Sequence, residues 1–568
     1  MELILMTSVV ALIFAIAVKI KYDEDQLMKK YARRNNREWG KIPDVDYTDA
    51  KLNAIKEYYL ANQGKEDVDD ITWNDLDMDS IFMLLNNTQS NMGEDYLYAT
   101  LRKLQTDSGE LEKKEKLISY LQEHNEERNQ LQTRFRLMGK VKGFSLYKYM
   151  NMAGDIPIHS PIASILMCSS LVISVILVAL SVFNIISPIY GIIMMVICVI
   201  NNVINYFRRK DKIKNYFQVF KYIIRILENA KNLTDCGVPH LDQYFARINE
   251  LVDGFKDFKR GAFLVFIDSK RGEGSFFDIF LDYFRMLFHL DLIKFDSMVK
   301  KVHGRIDELN ELYDLLGYLD STVAIASFRA YLEEEGYCIP DLHTLEQPRI
   351  VVMGGYHPLI DEPVKNGIYA ENSVLLTGSN ASGKSTFIRM MAICAILAQT
   401  VHTVPANKYE GSYFRVLSSM ALTDNLKNNE SYYIVEIKSL KRILNKVDDT
   451  LPTLCFVDEV LRGTNTIERI AASAQILNSL SESNAICFAA THDLELTHIL
   501  EKQYDNYHFQ EEVVEKEVLF DYVLYEGRAN SRNAIKLLSM MGYDESIIDK
   551  AEAMASDFVD TGIWKSIN

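Results

Sequence analysis

The 568-residue sequence has few cysteines and no pairing pattern among them. Cys168, Cys198, Cys236, Cys338, Cys394, Cys455 and Cys487 never fall in a C-x-x-C spacing, so neither a zinc site nor a disulfide framework is expected. Scattered thiols with apolar neighbours fit core positions in a reducing compartment. Internal repeats and low-complexity tracts are also missing. An excess of positive charge is missing too: the net charge is -16, whereas a surface devoted to nucleic acid is usually basic. Any DNA contact would therefore use a local basic patch or the inside of a ring. The composition, 48% hydrophobic and 25% charged, suits folded protein, and the length calls for two or more domains.

Long apolar runs are present. Leu3 to Val18 is apolar except for Thr7 and Ser8. Ala15-Ile16-Ala17 has the small-x-small look of a signal cleavage site, but it lies inside the run, and no Lys or Arg precedes the run. These signals favour an uncleaved membrane anchor over a signal peptide. After Pro161, Ile162 to Phe183 carries no charge; a turn at Asn184 to Pro188 then leads into Ile189 to Ile200. This pattern reads as a helical hairpin entering and leaving a bilayer; a buried core hairpin is the alternative. Basic residues follow the first run (Lys19, Lys21, Lys29, Lys30, Arg33, Arg34, Arg37), precede the hairpin (Arg134, Arg136, Lys140, Lys142) and follow it (Arg208, Arg209, Lys210, Lys212, Lys214). Positive flanks stay cytoplasmic. The expected location is the cell membrane, multi-pass, with the N-terminus outside and everything after residue 207 in the cytoplasm.

The rest divides by texture. Residues 70–150 and 208–345 are polar with helical period. Near 350 strands and helices begin to alternate, as in a parallel α/β domain. The expected organisation is an anchor at 1–21, a helical region at 22–160, the membrane hairpin at 161–207, a helical region at 208–345, an α/β domain at 346–535 and a helical tail at 536–568.

Within the α/β part, the strand Val374-Leu375-Leu376 is followed by Gly378-Ser379-Asn380-Ala381-Ser382-Gly383-Lys384-Ser385, matching G-x-x-x-x-G-K-[ST], and then by a helical stretch from Thr386 to Gln399. Strand, loop and helix in that order are the context this phosphate-binding motif requires. Its glycines let backbone N–H groups close around the phosphates of ATP, Lys384 faces the β- and γ-phosphates, and Ser385 is placed for Mg²⁺. A second strand, Leu454 to Val457, ends in Asp458-Glu459. Asp458 suits a Mg²⁺ ligand through water, and Glu459 suits orienting or deprotonating the attacking water. A third strand, Ala485 to Ala489, ends in Thr491-His492, where His492 can sense the γ-phosphate or the water. The bland readings are an ordinary strand followed by a solvated turn and a structural histidine; two strand ends beside a phosphate loop favour the catalytic ones.

These residues together resemble the ATPase domain of the MutS mismatch-repair family. The likeness runs through Gly378 to Thr386, Val404-Pro405-Ala406, Ser431-Tyr432-Tyr433-Ile434-Val435-Glu436, Val457 to Thr464 and Ala489 to His492. Gly527 to Ala551 resembles the closing helical segment through which such ATPases dimerise. By that resemblance Ser431 reaches the γ-phosphate in the partner subunit, so a working site needs two chains. A looser likeness covers Leu84 to Gly93 and Leu319 to Ala330, which resemble the start and the last helix of the family's lever domain. With the hairpin read from the apolar runs, the expected fold is a helical lever-like region carrying a transmembrane hairpin, followed by a P-loop α/β ATPase domain of the ABC/MutS type. The resemblance implies a second copy and DNA as partners; the apolar runs add the membrane.

The sequence also departs from the family. The N-terminus carries no Phe-x-Glu mismatch wedge; Phe509-Gln510-Glu511 lies beyond the ATPase core instead. Val364 stands where the family tends to offer an aromatic to adenine. Three functions are thus in competition: a membrane-tethered, ATP-dependent DNA-binding or DNA-damage-sensing protein related to mismatch repair; a membrane ATPase switch acting on a protein or lipid partner; and an ABC-type transporter. The last is poorly served, since Ile443 to Asp449 stands where an L-S-G-G-Q-like signature would precede the Asp458 strand. Phe276, Phe280, Phe284 and Phe288 recur at four-residue spacing, either as a core-facing helix or as one lying on the bilayer. With Asp278, Asp282 and Asp291 beside them, they are not expected to clamp DNA.

Overall fold

The structure is a computed structural model. It describes the chain apart from residues 1, 157–160, 184–186, 239–240, 260–282, 285, 346, 380–381, 421–431, 462–464, 515–516, 530–534, 536–537, 539–541, 565 and 568. Most of the phenylalanine stripe from 276 to 288 lies outside the described residues. The chain forms two compact units: residues 1–63, 86–99 and 117–327 in one, and 64–85, 100–116 and 328–568 in the other.

The first unit is helical. Its opening helix, Glu2–Glu38, runs unbroken from the expected anchor into the polar region. It packs on the Asn125–Met138 helix, where Arg136 pairs with Glu38 at 2.6 Å and Asn35 donates to Thr133 at 3.0 Å. Pro161–Val182 and Pro188–Lys231 pack together as the two arms of a hairpin. Among the described residues one helix, Ile189–Lys231, is long and apolar enough to cross a membrane, and the first arm offers the shorter apolar stretch Ser169–Ser181. The expected hairpin is thus present as two packed helices, of which one is a candidate span among the described residues. Ile165, Leu166, Val172, Ile173, Val175 and Ile176 of the first arm are exposed, as are Ile189, Ile192, Ile193 and Ile197 of the second. Several residues of the basic flanks are engaged in ion pairs: Arg34 and Arg136 with Glu38, Lys140 with Glu94, Arg209 with Asp296 at 2.5 Å and Lys210 with Asp291.

The two stretches with the looser family likeness meet in this unit. Asp320, buried within the Ile306–Leu332 helix, accepts the Ser90 hydroxyl at 2.6 Å and the backbone N–H groups of Ser90 (2.8 Å) and Gln89 (3.0 Å). It thereby fixes Ser90, whose hydroxyl oxygen in turn accepts the Gly93 N–H at 3.1 Å and caps the Asn91–Arg102 helix. Such close approach needs Gly93, because a Cβ there would sit 2.2 Å from the Asp320 carboxylate. Two turns further on, the Ser327 hydroxyl accepts from the Asn87 amide at 2.8 Å and from Gly40 N–H at 3.1 Å.

The second unit is α/β. A six-stranded sheet has the order β10-β9-β4-β8-β7-β6, with β4 Ser373–Thr377, β6 Arg415–Ser419, β7 Thr453–Asp458, β8 Ala485–Ala490, β9 Tyr504–Val514 and β10 Glu517–Glu526. β6, β7, β8, β4 and β9 are parallel, and β10 returns antiparallel along β9. The central strands are buried along their length, which explains their continuous apolar sequences. A smaller sheet, β1-β5-β2-β3, gathers Asp341–His343, Lys408–Ser412, Ile350–Gly355 and Asn366–Ala370.

β6 is the sheet edge, and a segment from far upstream closes it. The Asp70–Asp75 helix lies against β6. Ser418 N–H donates to the Thr72 hydroxyl at 3.1 Å, and Met420 N–H donates to the Asp75 carboxylate at 2.9 Å. These are alternate residues, the ones whose N–H groups point away from β7. Asp69 pairs with Arg442 at 2.5 Å and Lys446 at 2.9 Å, and Glu66 pairs with Arg415 at 2.8 Å. The sequence expectation had placed this stretch with the upstream helices.

Candidate nucleotide site

The expected site residues converge because β4, β8 and β7 are neighbours and parallel, so the loops leaving their C-terminal ends share one edge. β4 delivers Gly378, Ser379, Ser382 and Gly383, and the Lys384–Thr400 helix begins with Lys384, Ser385 and Thr386. β7 delivers Asp458 and Glu459, and β8 leads to His492. Asn380, Ala381 and Ser431 lie outside the described residues.

Glycine is required at both ends of the phosphate loop. Gly378 has φ 145°, and a Cβ there would meet the Phe509 carbonyl at 2.8 Å and the Ser382 hydroxyl at 2.9 Å. Gly383 has φ 108° and opens the helix, with the Tyr522 ring 3.3 Å from where a Cβ would stand. The Lys384 ammonium folds over the loop and donates to the carbonyls of Gly378 (2.8 Å) and Ser379 (2.7 Å). Ser379 donates its hydroxyl to Glu511 at 2.5 Å.

Glu459 follows β7 with φ 57°, its N–H held by the Ala490 carbonyl at 3.0 Å. A left-handed glutamate at a strand end is strained backbone of the kind found at functional sites. Its carboxylate lies 3.1 Å from His492 Nε2. His492 is set by neighbours on both sides: Thr491 N–H donates to Leu376 of β4, and Asp493 is clamped by Arg469 at 2.6 and 3.0 Å. The Asp458 Oδ1 and Ser382 Oγ atoms are buried and make no hydrogen bond among the described residues. Buried polar atoms of this sort call for a ligand or an ion. Together with the two glycines of the loop, the chemistry of these groups fits a nucleotide phosphate with Mg²⁺.

Beside the loop is a cavity of about 430 Å³. Gly383, Thr386 and Phe387 line it, together with His357, Val364 and Tyr522. Burial, then the nearby Arg389, lowers the His357 imidazole to about 4, so it is neutral near pH 7. Tyr522 has φ 54° at an irregularity in β10, and Asn366 fastens this point by donating to Tyr522 O (2.9 Å) and accepting from Leu524 N–H (2.8 Å).

Sequence reasoning missed several of these contributors. Glu436 was noticed only as part of a family-like run. It is buried and its carboxylate accepts Leu461 N–H, tying the Tyr432–Lys446 helix to the turn after Glu459. Glu511 and Tyr522 come from the β9–β10 hairpin, whose polar sequence gave no sign of the site. The signal available for Glu436 was a carboxylate on the helix face that carries Leu440 and Ile443.

Residues 374–559 match the family model MutS domain V. Through this domain the chain belongs with the MutS family. It is 29% identical to the DNA mismatch repair protein MutS of Natronomonas pharaonis, over 47% of this chain and 31% of that protein. It is 29% identical to the MutS of Lactobacillus acidophilus, over 61% of this chain and 40% of that protein. It is 28% identical to human MutS protein homolog 4, over 48% of this chain and 30% of that protein. The chain thus spans less than half the length of each. The loop, both strand-end carboxylates and His492 all fall inside the matched MutS domain V.

Proposed function

We propose that this chain is a MutS-type ATP hydrolase. The observation that carries the reading is the convergence of the Lys384 loop with Asp458, Glu459 and His492 at the ends of three adjacent strands, with Glu459 and His492 in hydrogen-bond contact. Backbone N–H groups of 378–386 and the Lys384 ammonium hold the phosphates of ATP. Ser385 and Asp458 hold Mg²⁺, which neutralises charge on the β- and γ-phosphates. Glu459 orients the attacking water and takes its proton, and His492 positions the Glu459 carboxylate and senses the γ-phosphate end. Ser431 of a second copy completes each site, so the active form is a homodimer joined through the ATPase domain and the segment after Gly527.

In this reading ATP turnover governs contact with DNA, in a role related to mismatch repair. The support is that the relatives from Natronomonas pharaonis and Lactobacillus acidophilus are DNA mismatch repair proteins. The exposed apolar faces of the 161–231 hairpin support a membrane location, with the ATPase domain on the cytoplasmic side. That same hairpin, with the net charge of -16, favours a second reading in which the switch acts on a protein or lipid partner without DNA.

The deciding experiment is ATPase activity and DNA affinity of the detergent-solubilised dimer over a salt series. DNA binding that weakens steeply with salt and changes with nucleotide supports the first reading. ATP hydrolysis without DNA affinity at low salt supports the second. Absence of ATP hydrolysis would remove both.

A further inference from the structure

Exposed cations and exposed aromatic rings meet at the base of the hairpin, away from the nucleotide loop. With the membrane location proposed above, residues 188–207 of the Pro188–Lys231 helix rise about 30 Å, the thickness of a hydrocarbon core, and the helix leaves the bilayer near Phe207. Five cations and one carboxylate follow between residues 208 and 214. Arg209 pairs with Asp296 at 2.5 Å, and Lys210 lies 3.5 Å from Asp291, which also accepts the Tyr206 hydroxyl at 2.7 Å. Both of these carboxylates are buried, so they hold the inner cations and leave the outer ones alone. Arg208, Lys212 and Lys214 are exposed and make no ion pair among the described residues. Asp211, exposed between them, offsets one charge, and the outer surface keeps an excess of two.

Aromatic side chains reach the same level from a second segment. His289 Nε2 lies 3.3 Å from the Asn202 carbonyl, and its ring is 5.9 Å from that of Tyr206. The Leu290–Val302 helix that follows is held on the hairpin helix by Phe295, whose ring packs on Phe217 at 4.8 Å and on Phe220 at 5.0 Å. The aromatic stretch ending at His289 is thereby fixed beside the last turns of the span. Its Tyr283 and Phe284 are 60% and 41% exposed, and Phe207 on the hairpin helix is 57% exposed. Rings left open on two adjoining segments gain by entering the boundary between acyl chains and headgroups.

Resting on the membrane location given above, we propose that this belt seats anionic phospholipids, with phosphates among Arg208, Lys212 and Lys214 and acyl chains against Phe207, Tyr283 and Phe284. An anionic headgroup such as phosphatidylglycerol brings net negative charge to balance the excess; a zwitterionic headgroup brings none. Residues 208–214 extend about 10 Å beyond the span, which places the three cations in and just outside the headgroup layer. Each basic residue at an anionic leaflet strengthens the attraction several-fold, and the effect fades within a Debye length.

The test reconstitutes the full chain into vesicles of equal parts phosphatidylcholine and phosphatidylglycerol, recovers it in mild detergent and counts the retained lipids by mass spectrometry. Phosphatidylglycerol should exceed phosphatidylcholine on the purified chain by about fivefold or more. Arg208→Gln, Lys212→Gln and Lys214→Gln together, with an unchanged thermal melt as the control for folding, should return the ratio to that of the vesicle. Lys29→Gln with Lys30→Gln removes two exposed cations elsewhere and should leave the enrichment in place. Tyr283→Ser with Phe284→Ser should lower the amount of both lipids retained. Equal retention of the two lipids by a chain that does enter the vesicles would overturn the proposal and spare the membrane location. Enrichment that survives the triple change, or that the Lys29 and Lys30 changes remove equally, would overturn it as well. A chain that stays out of the vesicles would overturn both.

Discussion

His492 Nε2 stands 3.1 Å from the Glu459 carboxylate, so the ends of β8 and β7 share one hydrogen bond at the proposed site. Replacing Glu459 with Gln keeps the shape and the phosphate cradle while removing the base. ATP should still bind with near-parental affinity, and hydrolysis should fall by about 10²–10⁴-fold. His492→Ala should lower kcat by a smaller factor with little change in KM. Lys384→Ala should instead abolish nucleotide binding. Fluorescent-nucleotide binding beside steady-state turnover separates these outcomes; parental turnover in Glu459→Gln would remove the assigned role.

Ser431 should act in the partner's site. Ser431→Ala chains should bind ATP but turn it over slowly. Mixing them with Lys384→Ala chains should restore part of the activity, because one site of each mixed pair keeps both residues. The rate per chain should also fall on dilution below the dimer dissociation constant. A rate independent of concentration across that range would argue against a composite site.

Asp320 gives a pH signature to the helical unit. Burial pushes its carboxyl up to about 6, against the pull of the Ser90 and Gln89 donors. The folded value lies above the unfolded one near 3.9, so its stabilising contribution is complete below about pH 4 and is lost as pH rises through about 6. The difference corresponds to at most about 3 kcal/mol. Asp320→Asn should flatten the stability slope between those values, read by denaturant unfolding at stepped pH. An unchanged slope would count against the raised value.

Gly93→Ala places a methyl group against the same carboxylate, 2.2 Å from its oxygen. The cap must open or the helices must part. A loss of about 1–3 kcal/mol is expected, the usual range for overpacking. Combining it with Asp320→Ala should cost less than the two changes added together, since the clash is then relieved. Strict additivity in unfolding measurements would show that the two do not meet.

The nucleotide site was legible because its chemistry is written in contiguous runs. Gly378 to Thr386, Asp458-Glu459 and Thr491-His492 each sit at a strand end, and the apolar strands β4, β7 and β8 announce themselves by continuous burial. What was hidden depends on pairing over distance. Nothing local in Thr72 or Asp75 says that their side chains will serve the N–H groups of Ser418 and Met420. Tyr522 and Glu511 are ordinary polar-strand residues until the β9–β10 hairpin brings them to the loop. The two lever-like stretches were noticed separately; the Asp320–Ser90 cap that joins them needed the fold. The two charge-free arms of the hairpin were legible as apolar runs; among the described residues the long Ile189–Lys231 helix is the one that meets the length and apolarity of a span.

The strip at 64–85 that seals β6 has a consequence for how the protein is made. It leaves the ribosome some three hundred residues ahead of the strand whose edge it covers. Until β6 appears, Asp69 and Asp75 have no basic or amide partners there, and once the sheet forms its last N–H row waits for a segment already synthesised. A fragment beginning near residue 346 would carry the whole nucleotide loop yet expose Ser418 and Met420 to a neighbour's strand, with Arg415, Arg442 and Lys446 stripped of their upstream carboxylates. Such a fragment should associate edge to edge, and adding residues 64–85 as a separate peptide should disperse it.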